Sequence, residues 1–125
     1  MANSAPGFAK HPNHTIEYSD INYKILVSID KAAIGSTTSA ILLKEANYPA
    51  AYYLPMDTLD SKYLRPSEHT TYCPFKGTAG YFHLVYNGKI FENAVWVYRE
   101  PYDEAHRIKD LISIYSNVAA IIPME

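Results

Sequence analysis

The chain has 125 residues, enough to bury one hydrophobic core and too few for two, so we expect a single domain. Hydrophobic residues make up 48% and charged residues 19%, which argues against disorder, and no apolar run approaches the roughly 20 residues of a membrane-spanning helix. A net charge of -2 without a basic cluster argues against nucleic acid as a partner. A single cysteine and no recognisable secretory signal lead us to expect a water-soluble, cytoplasmic protein.

Polar residues dominate positions 1–20, which predicts an extended N-terminal arm ahead of a β-rich domain over 21–125. Apolar and polar residues then alternate from Ile21 to Asp30, as in a half-buried strand, with a chain reversal near Asp30-Lys31. Shorter strands are predicted next, at 33–36, 40–45 and 51–54.

The second half of the chain contains a predicted hairpin and a predicted helix. A turn or short helix is expected at 56–66 and a long irregular stretch at 65–80, and Asn87-Gly88 then joins strands 81–86 and 89–98. An apolar stripe from Ala105 to Tyr115 predicts a helix, followed by a strand at 118–122. Because short turns connect the strands, we expect a mainly β (β-rich α+β) fold, either a rolled antiparallel sheet or a partly open barrel, with one covering C-terminal helix.

Several chemically reactive side chains fall in the predicted irregular stretch. His69, Cys73 and Lys76 bring an imidazole, a thiol and an ammonium within eight residues. A reactive thiol needs a nearby base or cation, which His69 or Lys76 would supply, whereas a buried and inert Cys73 is the alternative. His69 is equally suited to a hydrogen bond within a loop, and Lys76 to contact with solvent.

Glu45 ends a predicted apolar strand and is followed by several tyrosines. A carboxylate at the edge of such a surface has its pKa raised by desolvation, as a general acid or base requires, although an exposed strand end is the alternative. Twelve tyrosines in the chain favour a binding surface, and core packing is the alternative for Trp96. The predicted substrate-binding residues are Tyr52, Tyr53, Tyr72, His83, Trp96 and Tyr98.

Metal ligation is weakly indicated by the sequence. A closed zinc site needs four ligands, and only His69, Cys73 and His83 are available as candidates in the predicted domain. His11 and His14 are suitably spaced, but they lie in the predicted arm. We therefore expect neither a metal ion nor a cofactor.

Four stretches of the sequence together match a family pattern. They are 40–45 with 48–49 and 52–55, then 67–77, then 92–96 with 98 and 101–102, and finally 105–115. In these stretches the chain resembles the domain of unknown function family 427, over about residue 10 to the C-terminus. The resemblance implies a compact β-rich domain, usually standing alone, without an agreed activity.

Two details limit what the resemblance implies about function. A nucleotidyltransferase label is sometimes attached to the family, but Gly35-Ser36 followed by Asp57 and Asp60 is not the acidic pair that positions two metal ions. The family pattern also leads us to expect an arginine at 37–39, where this chain has Thr-Thr-Ser. If that arginine binds an anion in relatives, the resemblance implies a different or less charged ligand here.

Our leading hypothesis is a cofactor-independent enzyme that acts on a small, partly apolar organic molecule by general acid/base chemistry, such as cyclisation, isomerisation, dehydration or hydrolysis. His69 or Glu45 would move a proton, while Lys76 or a tyrosine hydroxyl would stabilise developing negative charge. The alternatives are a non-catalytic module that binds a small molecule or a protein, and nucleophilic catalysis by Cys73. The expected partner is a small organic molecule rather than nucleic acid or a membrane, and the oligomeric state stays open, a homodimer included.

Overall fold

Ten strands in three antiparallel sheets form most of the computed structural model, which describes residues 3–124. The strands are β1 Ile16–Asp20, β2 Lys24–Ile29, β3 Ala32–Thr37, β4 Ile41–Glu45, β5 Ala51–Tyr53, β6 Leu64–Cys73, β7 Gly77–Tyr86, β8 Lys89–Val97, β9 Ile112–Ile114 and β10 Ala120–Met124. One turn of α-helix, α1, spans Gly7–Lys10, and 3₁₀ helices span Met56–Thr58, Ser61–Tyr63 and Asp103–Ile108.

The three sheets have the strand orders β1-β4-β5, β10-β2-β3 and β6-β7-β8-β9. An isolated bridge between Leu54, which follows β5, and Ile112 of β9 ties the first sheet to the third, and a second bridge joins Gly35 of β3 to Leu59. The described strands do not close into a barrel. The mainly β prediction is therefore confirmed, with three separate antiparallel sheets as its architecture.

Two clusters of buried side chains make up the hydrophobic core. The larger one draws on the second and third sheets, where Ile25, Val27, Leu84 and Val95 are fully enclosed. The smaller one joins the first sheet to the third sheet and to the last 3₁₀ helix; its members are Leu43, Tyr53, Ala79, Tyr81, Tyr98, Ala105 and Ile108. In the described part of the chain, no helix is long and apolar enough to span a membrane.

The clearest local patterns in the sequence predicted the right elements. Residues 25, 27 and 29 of β2 are buried as the alternation requires, and the reversal at Asp30-Lys31 has positive φ at both positions. Asn87 and Gly88 also have positive φ, and they join β7 to β8 in the predicted hairpin. Two adjacent positive-φ residues match the twist of the flanking strands, which is why this signal is reliable.

The irregular stretch predicted at 65–80 is wrong, because most of it is strand. β6 pairs with β7 along its length, with a register shift between Ser67 and Thr70. As an edge strand with mostly exposed side chains, β6 needs no alternation of apolar residues and tolerates Pro66. The sequence of β6 therefore lacks the apolar alternation from which a strand is predicted.

The helix predicted from Ala105 to Tyr115 is wrong in its second half. A 3₁₀ helix ends at Ile108, Asp110 has a positive φ of 62°, and β9 follows and pairs with β8. All three residues of β9 are buried, so the second half of the apolar stripe belongs to a short buried strand at the end of the third sheet and not to a helix face. Pairing with β8 overrides the helical spacing.

The predicted N-terminal arm also has structure of its own. Residues 7–10 form α1, and β1 pairs with β4, so that Ile16 stands opposite Glu45. The backbone N–H of Gly7 donates to the Pro74 carbonyl at 2.9 Å. These contacts place the N-terminal segment against the β6–β7 turn.

Candidate functional site

A cavity of about 820 Å³ lies among residues of the first sheet, the third sheet and the β6–β7 turn. We call it the aromatic cavity, because nine of its lining side chains are aromatic: Tyr48, Tyr52, Tyr53, Tyr72, Phe75, Tyr81, Trp96, Tyr98 and Tyr115. Its volume is in the range that encloses a drug-sized molecule. Tyr48, Tyr72 and Tyr115 are strongly exposed and form part of its lining, so the cavity opens to solvent between aromatic rings.

Glu45 lies in the wall of this cavity, at the last position of β4. Only 7% of the residue is exposed, which is unusual for a carboxylate unless it is paired. Oε1 accepts a hydrogen bond from the Lys76 ammonium, and Oε2 accepts one from His14 Nε2 at 2.7 Å. The two donors satisfy both oxygens of the buried carboxylate.

Lys76 reaches Glu45 from the tight turn between β6 and β7. Its backbone N–H donates to the Cys73 carbonyl at 3.3 Å, and Gly77 follows with a φ of 118° that only glycine adopts without strain. The turn therefore directs the lysine inward, where it is 8% exposed. The turn geometry therefore accounts for the glycine that follows Lys76.

His14 completes the cluster from the N-terminal segment. Its ring lies on the ring of Phe75, in the same turn as Lys76, and Phe8 packs edge-on against Phe75 from another side. His14 and Phe75 also line a second cavity of about 580 Å³, together with Tyr48. The Glu45 carboxylate in the aromatic cavity is thus hydrogen-bonded to an imidazole that borders the second cavity.

Tyr53, Trp96 and Tyr98 form the deep side of the aromatic cavity. Trp96 Nε1 donates to the Tyr53 hydroxyl at 3.1 Å, with the two rings nearly perpendicular. Burial, and to a smaller extent the Glu45 carboxylate, raises the pKa of Tyr53, and burial also raises that of Tyr98. Both phenols therefore stay protonated in neutral solution and keep an O–H to donate.

Most of the side chains singled out in the sequence meet in this one place. Eight of the ten line the aromatic cavity: Glu45, Tyr52, Tyr53, Tyr72, Cys73, Lys76, Trp96 and Tyr98. The sequence leaves Trp96 as either a core residue or a binding residue, and its position is compatible with both: it packs against the smaller core cluster and also lines the cavity. Cys73 is half-buried beside these residues.

His69 and His83 are not brought into the aromatic cavity. His69 is exposed on β6, its ring centroid 4.7 Å from that of Tyr81 and its backbone N–H bonded to Ser67 Oγ. His83 Nδ1 accepts the backbone N–H of Asn93 at 3.0 Å, at a register shift between β7 and β8. The geometry gives both histidines local hydrogen-bonding and packing contacts on the third sheet.

Sequence reasoning missed His14 and Phe75, which complete the cluster at Glu45. The His-x-x-His spacing drew attention to His14 only as a weak metal motif in a predicted arm. Within residues 3–124, no three or more His, Cys, Asp or Glu side chains come close enough together to hold a metal ion. His14 instead acts through a hydrogen bond to a carboxylate.

The fold and the site together define a β-rich domain of three antiparallel sheets with a buried, doubly hydrogen-bonded carboxylate in the wall of an aromatic cavity. The chain belongs to the family described as Domain of unknown function (DUF427), whose pattern matches residues 17–123 of the 125. The resemblance noted in the sequence is thereby confirmed. No match to this chain was found among curated proteins.

Proposed function

We propose that the protein is an enzyme that transforms a small organic molecule by cofactor-independent acid/base chemistry in the aromatic cavity. The observation that carries the proposal is the position of Glu45, a carboxylate buried among aromatic rings yet part of the wall of an open cavity. Carboxylates in such surroundings serve as general acids and bases because desolvation and fixed partners control their proton affinity.

The arrangement suits removal of a proton from carbon next to a carbonyl group. Glu45 takes the proton, the electron pair of the C–H bond moves into the carbonyl, and the resulting enolate oxygen is stabilised by a tyrosine hydroxyl or the Lys76 ammonium. Return of the proton from Glu45 to the same or another atom of the enolate completes an exchange or an isomerisation. Because the proton that Glu45 removes is also returned, the reaction needs no further reactant.

His14 serves this scheme as a positioning residue. It holds the far oxygen of Glu45, and its contact with Phe75 fixes the imidazole plane. Because His14 borders the second cavity, it also offers the carboxylate a route for proton exchange with solvent. His69 has no part in the proposal, since it lies outside the aromatic cavity.

A non-catalytic binding module is the second candidate, and one observation favours it. Both oxygens of Glu45 are hydrogen-bonded within the protein, as in a purely structural ion pair. In that case Glu45 would shape the cavity without exchanging protons with a ligand. The enzyme would need the Glu45 carboxylate to catalyse proton transfer, whereas the binding module would catalyse none.

Deuterium exchange of β-tetralone in heavy water, followed by proton NMR, distinguishes the enzyme from the binding module. This neutral bicyclic ketone has an acidic C–H between its ring and its carbonyl, so no knowledge of the natural substrate is required. We expect exchange faster than in buffer, a loss of about 100-fold or more in Glu45→Gln, and no change in Glu17→Gln, an exposed carboxylate on β1. Wild-type exchange at the buffer rate, or full exchange in Glu45→Gln, would overturn the proposal.

A further inference from the structure

The charges around the aromatic cavity indicate what kind of ligand it accepts. Among the described lining residues, Glu45 and Lys76 are the only side chains that carry a formal charge, and they are bonded to each other. A charged ligand would have to leave water and find no free countercharge, which is costly in apolar surroundings. The paired charges therefore favour an uncharged ligand.

The buried tyrosines respond to the same surroundings. Burial raises the pKa of Tyr53 and of Tyr98, which means that the deep side of the cavity disfavours a negative phenolate. An anionic ligand group at that place would meet the same desolvation. The tyrosine hydroxyls remain hydrogen-bond donors for a neutral oxygen.

The shape and lining of the cavity indicate a flat ligand. Aromatic side chains offer stacked and edge-on contacts to a planar ring, and here they run from the exposed Tyr48 and Tyr115 to the buried Tyr98. Ring contacts already link the inner and outer residues, since Trp96 lies 4.7 Å from Tyr115 and 6.3 Å from Tyr53 between ring centroids. A planar molecule entering at the mouth would replace solvent along a continuous aromatic surface.

We infer that the substrate is an uncharged, planar aromatic molecule of about two or three fused rings, with a carbonyl or hydroxyl group directed at Glu45 and the tyrosine hydroxyls. The inference rests on the proposed function for the position of the polar group. The class of ligand follows from the paired charges, the aromatic walls and the cavity volume.

Isothermal titration calorimetry with three naphthalene derivatives of similar size tests the ligand class. The neutral β-naphthol is expected to bind at least about tenfold more tightly than the anionic β-naphthoate or the cationic β-naphthylmethylammonium. Glu45→Gln leaves the Lys76 ammonium without its carboxylate. It should therefore improve binding of β-naphthoate and narrow the preference for β-naphthol over β-naphthoate. Glu17→Gln, on the exposed side of β1, should leave all three affinities unchanged.

Equal affinities for the three compounds, or a preference for either ion, would overturn the inference, as would an unchanged preference in Glu45→Gln. Failure of the two proposals is distinguishable. Selective β-naphthol binding without β-tetralone exchange would support the ligand class and overturn the enzyme. Exchange that β-naphthoate inhibits as strongly as β-naphthol does would support the enzyme and overturn the ligand class.

Discussion

The imidazole of His14 lies almost parallel to the ring of Phe75, with 3.7 Å between ring centroids and 13° between the ring planes. This stacking joins the N-terminal segment to the turn that carries Lys76. It also directs His14 Nε2 at Glu45, 2.7 Å away. Two segments far apart in sequence therefore hold the same carboxylate.

Replacing His14 by phenylalanine should separate packing from positioning. His14→Phe keeps a ring on Phe75 but removes the hydrogen bond to Glu45, so β-tetralone exchange should fall about tenfold or more because the carboxylate is less well oriented. His106→Phe, at an exposed position of the 3₁₀ helix, is the control. An unaltered exchange rate in His14→Phe would refute this role.

Replacing Lys76 by methionine should destabilise the fold. It leaves the Glu45 carboxylate buried without its ammonium partner, and breaking a buried pair in this way costs about 3–5 kcal/mol of unfolding free energy. Urea denaturation measures the change, and the control is Lys44→Met, an exposed position on β4 next to Glu45. The double variant Glu45→Gln/Lys76→Met should lose less than the sum of the single losses. Strict additivity would show that the two side chains do not stabilise each other.

Gly35 is required by a close backbone approach. A Cβ at this position would lie 2.1 Å from the Thr58 carbonyl oxygen, beside the bridge between Gly35 and Leu59. Gly35→Ala should therefore reduce the free energy of unfolding by about 1–3 kcal/mol. At Gly80 the nearest atom to a new Cβ is Val97 Cγ1 at 4.0 Å, so Gly80→Ala should have little effect. Equal stabilities of the two variants would contradict the close approach of the Thr58 carbonyl to Gly35.

The buried tyrosines should ionise at a higher pH in the folded protein than in the unfolded chain. Burial, then Glu45, raises the pKa of Tyr18 to about 12, and burial raises the pKa values of Tyr53 and Tyr98 as well. The unfolded chain loses these protons near pH 10 and the folded chain does not, so stability should fall as pH rises from about 10 toward 12. Tyrosinate absorbance should show at least three of the 12 tyrosines ionising later in the native protein than in urea. Ionisation of all of them near pH 10 would contradict the burial.

Local signals explain which parts of the fold were predictable from sequence. Asn87-Gly88 and the alternation in β2 depend on neighbouring residues alone, so they predicted a hairpin and a strand correctly. β6 and β9 depend on their sheet partners, one at an exposed edge and one buried beside β8, and neither carries a pattern of its own.

The candidate site was predictable to a similar extent. Glu45, Lys76 and Cys73 could be chosen for their chemistry and surroundings in sequence, and all three line the aromatic cavity. Only tertiary structure shows that Glu45 bonds to Lys76, or that His14 reaches it from the other side. His69 has suitable chemistry too, but the register of β6 places it outside the cavity.

Chemical rescue tests the central claim, that the Glu45 carboxylate moves protons in the aromatic cavity. Glu45→Ala removes the carboxylate and leaves space for a small acid, so β-tetralone exchange should fall about 100-fold or more and recover in part when sodium formate is added. Formate should have no such effect on the wild-type protein or on Glu17→Ala. Exchange by Glu45→Ala at the wild-type rate, without formate, would contradict the account.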